Sequence, residues 1–128
     1  MKPSHLGLPH DVCRAVGGVL DHIGDKWAIL VIRMLSDGPL RFSELKRDIG
    51  SVSQKMLTST LRNLERDGFV TRHVTPSIPP RVDYELTAMG RDVMVPLNAL
   101  AEWALRNRAR VERSRRSFDT KRARATKE

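Results

Sequence analysis

A single cysteine, Cys13, stands in 128 residues. One thiol allows no intrachain disulfide and no thiolate metal cluster, so a disulfide-stapled scaffold is excluded and any redox role would use one sulfur. Long apolar runs are equally scarce. The longest, Trp27 to Ile32, is six residues and is followed by Arg33, against the roughly 18 of a membrane span. Residues 1 to 11 lack the charged, apolar and cleavage regions of a signal peptide, which points to the cytoplasm and away from a membrane partner. Aromatic residues make up only 5% of the chain, so a core must come from Leu, Ile and Val. With 40% hydrophobic residues there are enough of these to exclude global disorder and to build one small domain.

Catalytic and metal-binding patterns are missing as well. His5, His10, His22 and His73 form no HxxxH or carboxylate spacing, and surface or capping roles are expected for them. No nucleophile and base, glycine-rich phosphate loop or paired carboxylates fall at a usable spacing, so neither an enzyme nor a cofactor is expected.

Acidic residues are the last shortage: 15 Asp and Glu face 23 Lys and Arg, for a net charge of +8. The excess is uneven. Residues 1–40 net zero, 41–81 net +4, 82–105 net −3 and 106–128 net +7. A basic surface gathers polyanions, so nucleic acid is the leading partner.

Along the chain, residues 1–10 hold two Pro and a Gly without periodicity and read as a flexible arm. Asp11 can cap a helix running from Val12 towards His22, with Val12, Val16, Val19, Leu20 and Ile23 on one stripe. A second helix, Lys26 to Ser36, places Trp27, Leu30, Val31, Met34 and Leu35 at helical offsets. Asp37, Gly38 and Pro39 stop it. Leu40 to Phe42 is a short extended piece and Ser43 to Ile49 a short helix ended by Gly50. Ser51 or Ser53 can then cap a longer helix whose buried face is Leu57, Leu61 and Leu64 and which Gly68 terminates. Phe69 to Val74 and Arg81 to Leu86 form a hairpin about a turn stiffened by three prolines. Thr87 can cap a last helix with Val93, Leu97, Leu100, Ala104 and Val111 on one stripe, in which Pro96 should cause a kink or a delay. No apolar periodicity continues after residue 112, so 113–128 is expected to be a disordered basic tail beyond a domain of residues 11–112.

Short helix, tight turn, longer helix and hairpin is the order of a winged helix-turn-helix, mainly α with a small β-hairpin wing. With Leu57 at the centre of the buried face, 100° steps put Lys55, Ser59, Arg62 and Arg66 opposite it and Gln54 and Thr58 on the edge. Lys and Arg reach guanine acceptors, Gln pairs with adenine, and Ser or Thr takes either role. Gln54, Lys55 and Thr58 suit base reading, while Ser53 lies at the same helix start. Arg62, Arg66, Arg41, Lys46 and Arg47 suit phosphates. A merely solvated helix face would show the same composition.

The blocks IGDKWAILVIRML (Ile23 to Leu35), GPLRFSELKRDI (Gly38 to Ile49), SQKMLTSTLRNLERDGFVTR (Ser53 to Arg72), IPPRVDYELTAMGR (Ile78 to Arg91) and LNALAEW (Leu97 to Trp103), with the early Cys13, resemble the HxlR-type bacterial transcriptional regulators, a branch of the MarR-like winged-helix proteins. Arg14 departs from the Pro that members often place after the Cys, and the tail is longer and more basic than theirs. The resemblance implies a homodimer acting on a pseudo-palindromic operator in double-stranded DNA, most simply as a repressor. Exposed stripes agree with a dimer through Val12, Val16, Val19, Val93, Leu97, Leu100, Trp103 and Ala104, unless they pack on their own chain. In the wing, Arg72 and Arg81 are candidates for DNA backbone contact, with Arg81 the best by resemblance. Pairing of Arg81 with Asp83 or Glu85 is the alternative.

Some proteins of this type are redox or electrophile sensors with an early cysteine, which makes Cys13 a candidate sensor for an oxidant or small-molecule effector, provided its thiolate is exposed near cations. The alternative is a small buried residue in the first helix. Opposed to the operator reading stands a sequence-blind architectural protein driven by the basic tail, since residues 106–128 hold +7 of the net charge.

Overall fold

The computed structural model describes residues 10–127, so the expected arm lies, His10 apart, outside the described residues. Two compact units divide between Met94 and Val95. In the first, helix α1 (His10–Ile23) begins one residue before Asp11, so Asp11 sits in the first turn and favours the helix through its charge instead of capping it. Asp25 caps α2 (Lys26–Met34) by accepting a hydrogen bond from the Trp27 amide at 2.7 Å. A one-turn 3-10 helix (Leu35–Asp37) follows.

The buried face of α2 and the turn after it keeps Val31 and Leu35 of the expected set but is otherwise rotated from it. Ala28, Val31, Ile32 and Leu35 are buried, while Leu30 is exposed and Trp27 is half-buried under the Lys26 ammonium, 4.4 Å from the ring centroid. The stretch WAILVI is apolar all round, so its period fixes a helix but not which side turns inward.

Next come β1 (Leu40–Arg41), α3 (Phe42–Ile49) and α4 (Gln54–Arg66). Gly50, between the helices, has φ of 76°. That positive-φ conformation is cheap only for glycine, and it lets the chain turn from one helix into the next within four residues. Of the two candidate caps, Ser53 is the one used: its Oγ accepts from the Met56 amide at 3.0 Å. Leu57, Leu61 and Leu64 are buried as expected, joined by Thr60. With Leu45, Val52, Phe69, Val70 and Leu86 they make the core on which α4 rests.

Strands β2 (Val70–Thr75) and β3 (Arg81–Leu86) pair antiparallel in register Val70 with Leu86 through Thr75 with Arg81. The extended piece at Leu40 joins them, Leu40 opposite Tyr84 and Arg41 opposite Asp83, giving a three-stranded sheet in the order β1-β3-β2. This is the winged helix-turn-helix. Helix α5 (Ala88–Arg106) starts on Thr87, whose hydroxyl donates to the Gly68 carbonyl at 2.6 Å and accepts from the Gly90 amide at 3.0 Å. A Cβ on Gly90 would lie 2.2 Å from the Phe69 carbonyl oxygen, so that close approach needs glycine.

Pro96 does not delay α5, which already runs from Ala88. Pro96 and Asp92, four residues before it, are both exposed, so water can serve the carbonyl that the missing donor leaves free. In the second unit, α6 (Arg108–Lys127) is a helix where a disordered tail is expected. Its residues explain the difference. Arg, Ala, Lys and Glu favour helix without any apolar stripe, and Arg108 pairs with Glu112 one turn on at 3.4 Å.

Candidate nucleic-acid interface

Helix α4 is anchored on one side by Leu57, Leu61 and Leu64, and that anchoring turns Gln54, Lys55, Thr58, Ser59, Arg62 and Arg66 to solvent. Five of the six, together with Asn63, line one open depression along the helix; Arg66 stands beyond it. Among the described residues Lys55, Arg62 and Arg66 form no ion pair, so their charges are free to meet an anion. At about 1.5 Å per residue the 13-residue helix is about 20 Å long, a length that fits lengthwise in a major groove about 12 Å wide.

The hydroxyls are less free than composition suggests. Thr58 Oγ1 donates to the Gln54 carbonyl at 2.8 Å, which leaves it an acceptor only. It can therefore receive the amino hydrogens of adenine or cytosine but cannot donate to guanine. Ser53 Oγ is held by the Met56 amide, so its first role is to fix the helix start. Asn63 was not among the expected site residues. Its phase, roughly 40° from Ser59 on the same wheel, was available in the sequence.

Flanking surfaces extend the site. Lys46 and Arg47 on α3 line a depression with Ser43 and Gln54, across the turn between the two helices. Arg47 Nε donates to Asp48 at 3.2 Å, while Lys46 is half-buried. Arg41 stands at the head of α3, its backbone amide donating to Glu44 at 3.0 Å and its guanidinium exposed. On the other side Arg72, Tyr84 and Glu65 close a cavity with Thr58 and Arg62. This brings the base of the wing against the outward face of α4. Glu65 in that cavity is a second residue the sequence did not single out, because an acid in a basic face reads as ordinary surface.

Arg81 is held on the wing by Asp83, with Nε 3.1 and 3.3 Å from the two carboxylate oxygens. The pairing alternative is thus realised, and it fixes the guanidinium at the wing beside the loop of Ser77 to Pro80. His73 is 3.3 Å from Glu85. His22, for which a surface or capping role is expected, is part-buried and bonded to Asp67 at 2.5 Å, joining the end of α1 to the end of α4.

Cys13 lies half-buried on α1. On the same helix Val12 and Val19 are exposed and Val16 is half-buried. Along α5, Leu100, Trp103 and Ala104 are exposed and Val93 is half-buried, whereas Leu97 is only 5% exposed and has little surface left for a second chain. No group of three His, Cys, Asp or Glu that could hold a metal occurs among the described residues, and none of their helices is long and apolar enough to cross a membrane.

Comparison with known proteins agrees with this geometry. Residues 22–112 match the HxlR-like helix-turn-helix family. An uncharacterized HTH-type transcriptional regulator of Methanothermobacter thermautotrophicus is 51% identical over 84 residues, which are 66% of this chain and 64% of that protein. The chain thus spans a little under two thirds of that relative. The solved structure of the transcriptional regulator ytfH from Salmonella typhimurium superposes with a TM-score of 0.70 at 43% identity, over 77% of this chain and 88% of that one. The redox regulator HypR in its reduced form gives 0.70 at 41% identity, over 77% and 97%. The matched span takes in the two helices of the motif, the turn between them and the whole wing, and with it the chain belongs to the HxlR-like helix-turn-helix family.

Proposed function

We propose that the chain is a dimeric, sequence-specific transcriptional repressor that reads a pseudo-palindromic operator in duplex DNA with α4. The observation that carries this reading is the outward face of α4, where Gln54, Lys55, Thr58, Ser59 and Arg62 share one open depression on a helix whose other side is locked into the core. Gln54, Lys55 and Thr58 contact base edges. Arg41, Lys46, Arg62, Arg66 and Arg72 neutralise phosphates, and Ser53 sets the helix start at the duplex. Arg81, presented by Asp83, meets the backbone or minor groove beside the operator.

Dimerisation uses the exposed apolar residues of α1 (Val12, Val19) and of α5 (Leu100, Trp103), with Val16, Val93 and Ala104 beside them. A twofold pair would set the two reading helices at successive major grooves, about 34–36 Å apart or at a longer spacing. Selection of the purified protein on a random duplex pool at physiological salt tests the reading. Enrichment of two inverted half-sites is the expected result; binding with no enriched sequence would reject it in favour of sequence-blind binding.

A regulatory role for Cys13 rests on its position half-buried on α1 and on the similarity to the redox regulator HypR. Its sulfur adds across the conjugated C=C bond of a quinone, whose π pair and the thiol proton end on the quinone as a hydroquinone thioether, or displaces one thiolate from a disulfide to leave a mixed disulfide, and the adduct on α1 alters the dimer. Cys13→Ser keeps operator binding and loses any response to quinones or to disulfide stress. An undiminished response in that variant disproves the role.

A further inference from the structure

Helix α6 carries nine Lys or Arg against only Glu112 and Asp119. As a disordered segment this would be a diffuse charge. As a helix it has sides, and the charges sort onto them. Stepping 100° per residue, Arg110, Arg113, Arg116, Lys121 and Arg124 fall within an arc of about 140°, with Ser117 and Thr120 between them and no acid. Glu112 and Asp119 fall on the far side, among Arg108, Arg115 and Arg122. There Arg108 Nε lies 3.4 Å from Glu112. The described side chains of α6 are exposed apart from Val111, which is half-buried, and the five cations of the acid-free face have no ion-pair partner among the described residues.

We propose that this face of α6 is a second contact for duplex DNA, binding the sugar–phosphate backbone without reading sequence. It rests on the DNA-binding reading given above for α4 and adds a separate surface to it. Three observations select the duplex as occupant. The basic residues of the face are mostly Arg, whose planar fork matches phosphate oxygens, and Ser117 and Thr120 add hydroxyl donors between them. From Arg110 to Arg124 the helix rises about 21 Å, along which a duplex presents roughly a dozen phosphates, so each of the five cations can find one. The apolar residues Val111, Phe118 and Ala125 recur only every seventh position. That stripe is too thin to sink into a lipid surface, where a membrane-lying helix needs a broad apolar face.

The test compares two triple variants of the full chain with equal loss of charge. R110Q/R113Q/R124Q removes three of the five cations of the proposed face, and R108Q/R115Q/R122Q removes the three of the opposite side. Gln is nearly as good a helix former as Arg, and circular dichroism verifies that both remain helical. Affinity is measured against salt on two duplexes, one carrying the selected operator and one of unrelated sequence. Each phosphate contact contributes about 0.9 to the slope of log K on log salt. The first variant should therefore flatten the slope by roughly two to three on both duplexes, and the second by less than one. R110K/R113K/R124K should restore it. Equal flattening by both variants, or by neither, overturns the proposal, as does loss of binding to phosphatidylserine vesicles in the first variant with its DNA slope unchanged. The failure of the α4 reading looks different: the unaltered chain would then bind both duplexes alike, whatever the α6 variants do.

Discussion

Helices α4 and α6 both turn several cations to solvent, but they are built in opposite ways. In α4 the cations sit on the back of a buried row, Leu57, Leu61 and Leu64, so the position of every outward side chain is set by the core. In α6 no described residue is fully buried, and the large apolar residue Phe118 is 61% exposed. The contrast separates two tasks. A surface that distinguishes bases must be held to within a hydrogen-bond length, which only a packed face supplies, whereas one that neutralises phosphates needs charge on one side and tolerates movement.

The largest effect that can break this contrast is on stability. Leu61→Ala should cost about 2–5 kcal/mol, the range for emptying a fully buried leucine site, and Phe118→Ala less than about 0.5 kcal/mol, as for an exposed side chain. Urea unfolding followed by circular dichroism reads both. A Phe118→Ala loss comparable with that of Leu61→Ala would mean that α6 is packed and that its charges are placed as firmly as those of α4.

The same contrast explains what could be read in the sequence. For α4 the apolar residues fall on one narrow side, so helix, buried face and outward residues follow from spacing alone. In α2 every residue from Trp27 to Ile32 is apolar, and the spacing that chose Trp27 and Leu30 fits no better than the one realised through Ala28 and Ile32. Tertiary packing makes that choice, and it is not local. The helix over Arg108–Lys127 is hidden for the reverse reason: α6 has almost no apolar period, and its helix-favouring residues leave no spacing to read. At the site, residue types were legible but internal bonds were not. The Thr58 hydroxyl bonded back to Gln54 and the Arg81 guanidinium bonded to Asp83 each remove a donor that composition would count as free.

Binding provides the next test, with a smaller effect. Lys55→Ala should weaken binding to the selected operator by about 1–3 kcal/mol if it makes a paired base contact and should relax the preference at one position of each half-site. An outward substitution on α6 such as Arg113→Gln should leave that preference intact. Competition between the selected duplex and single-base variants separates the outcomes. A Lys55→Ala variant weakened equally on every sequence would place Lys55 with the phosphate contacts, and α4 would then resemble α6 in function despite its packing.

Ser53 gives the smallest effect and the sharpest distinction, because one hydroxyl both starts the helix and stands where the duplex would come. Its Oγ satisfies the Met56 amide, so Ser53→Ala should cost about 1 kcal/mol of stability. Asp is as good a cap as Ser, so Ser53→Asp should keep that stability. It also adds a negative charge, which DNA repels. If Ser53 lies against the phosphates, Ser53→Asp should lose operator affinity while unfolding like the parent, and Ser53→Ala should be slightly less stable with affinity nearly kept. Among the described residues no side chain caps α6 in this way, and the Asn107 side chain instead donates back to the Trp103 carbonyl at 2.8 Å. If Ser53→Asp bound the operator as well as the parent, the start of α4 would be remote from the DNA, and base reading would have to move further along the helix towards Thr58 and Arg62.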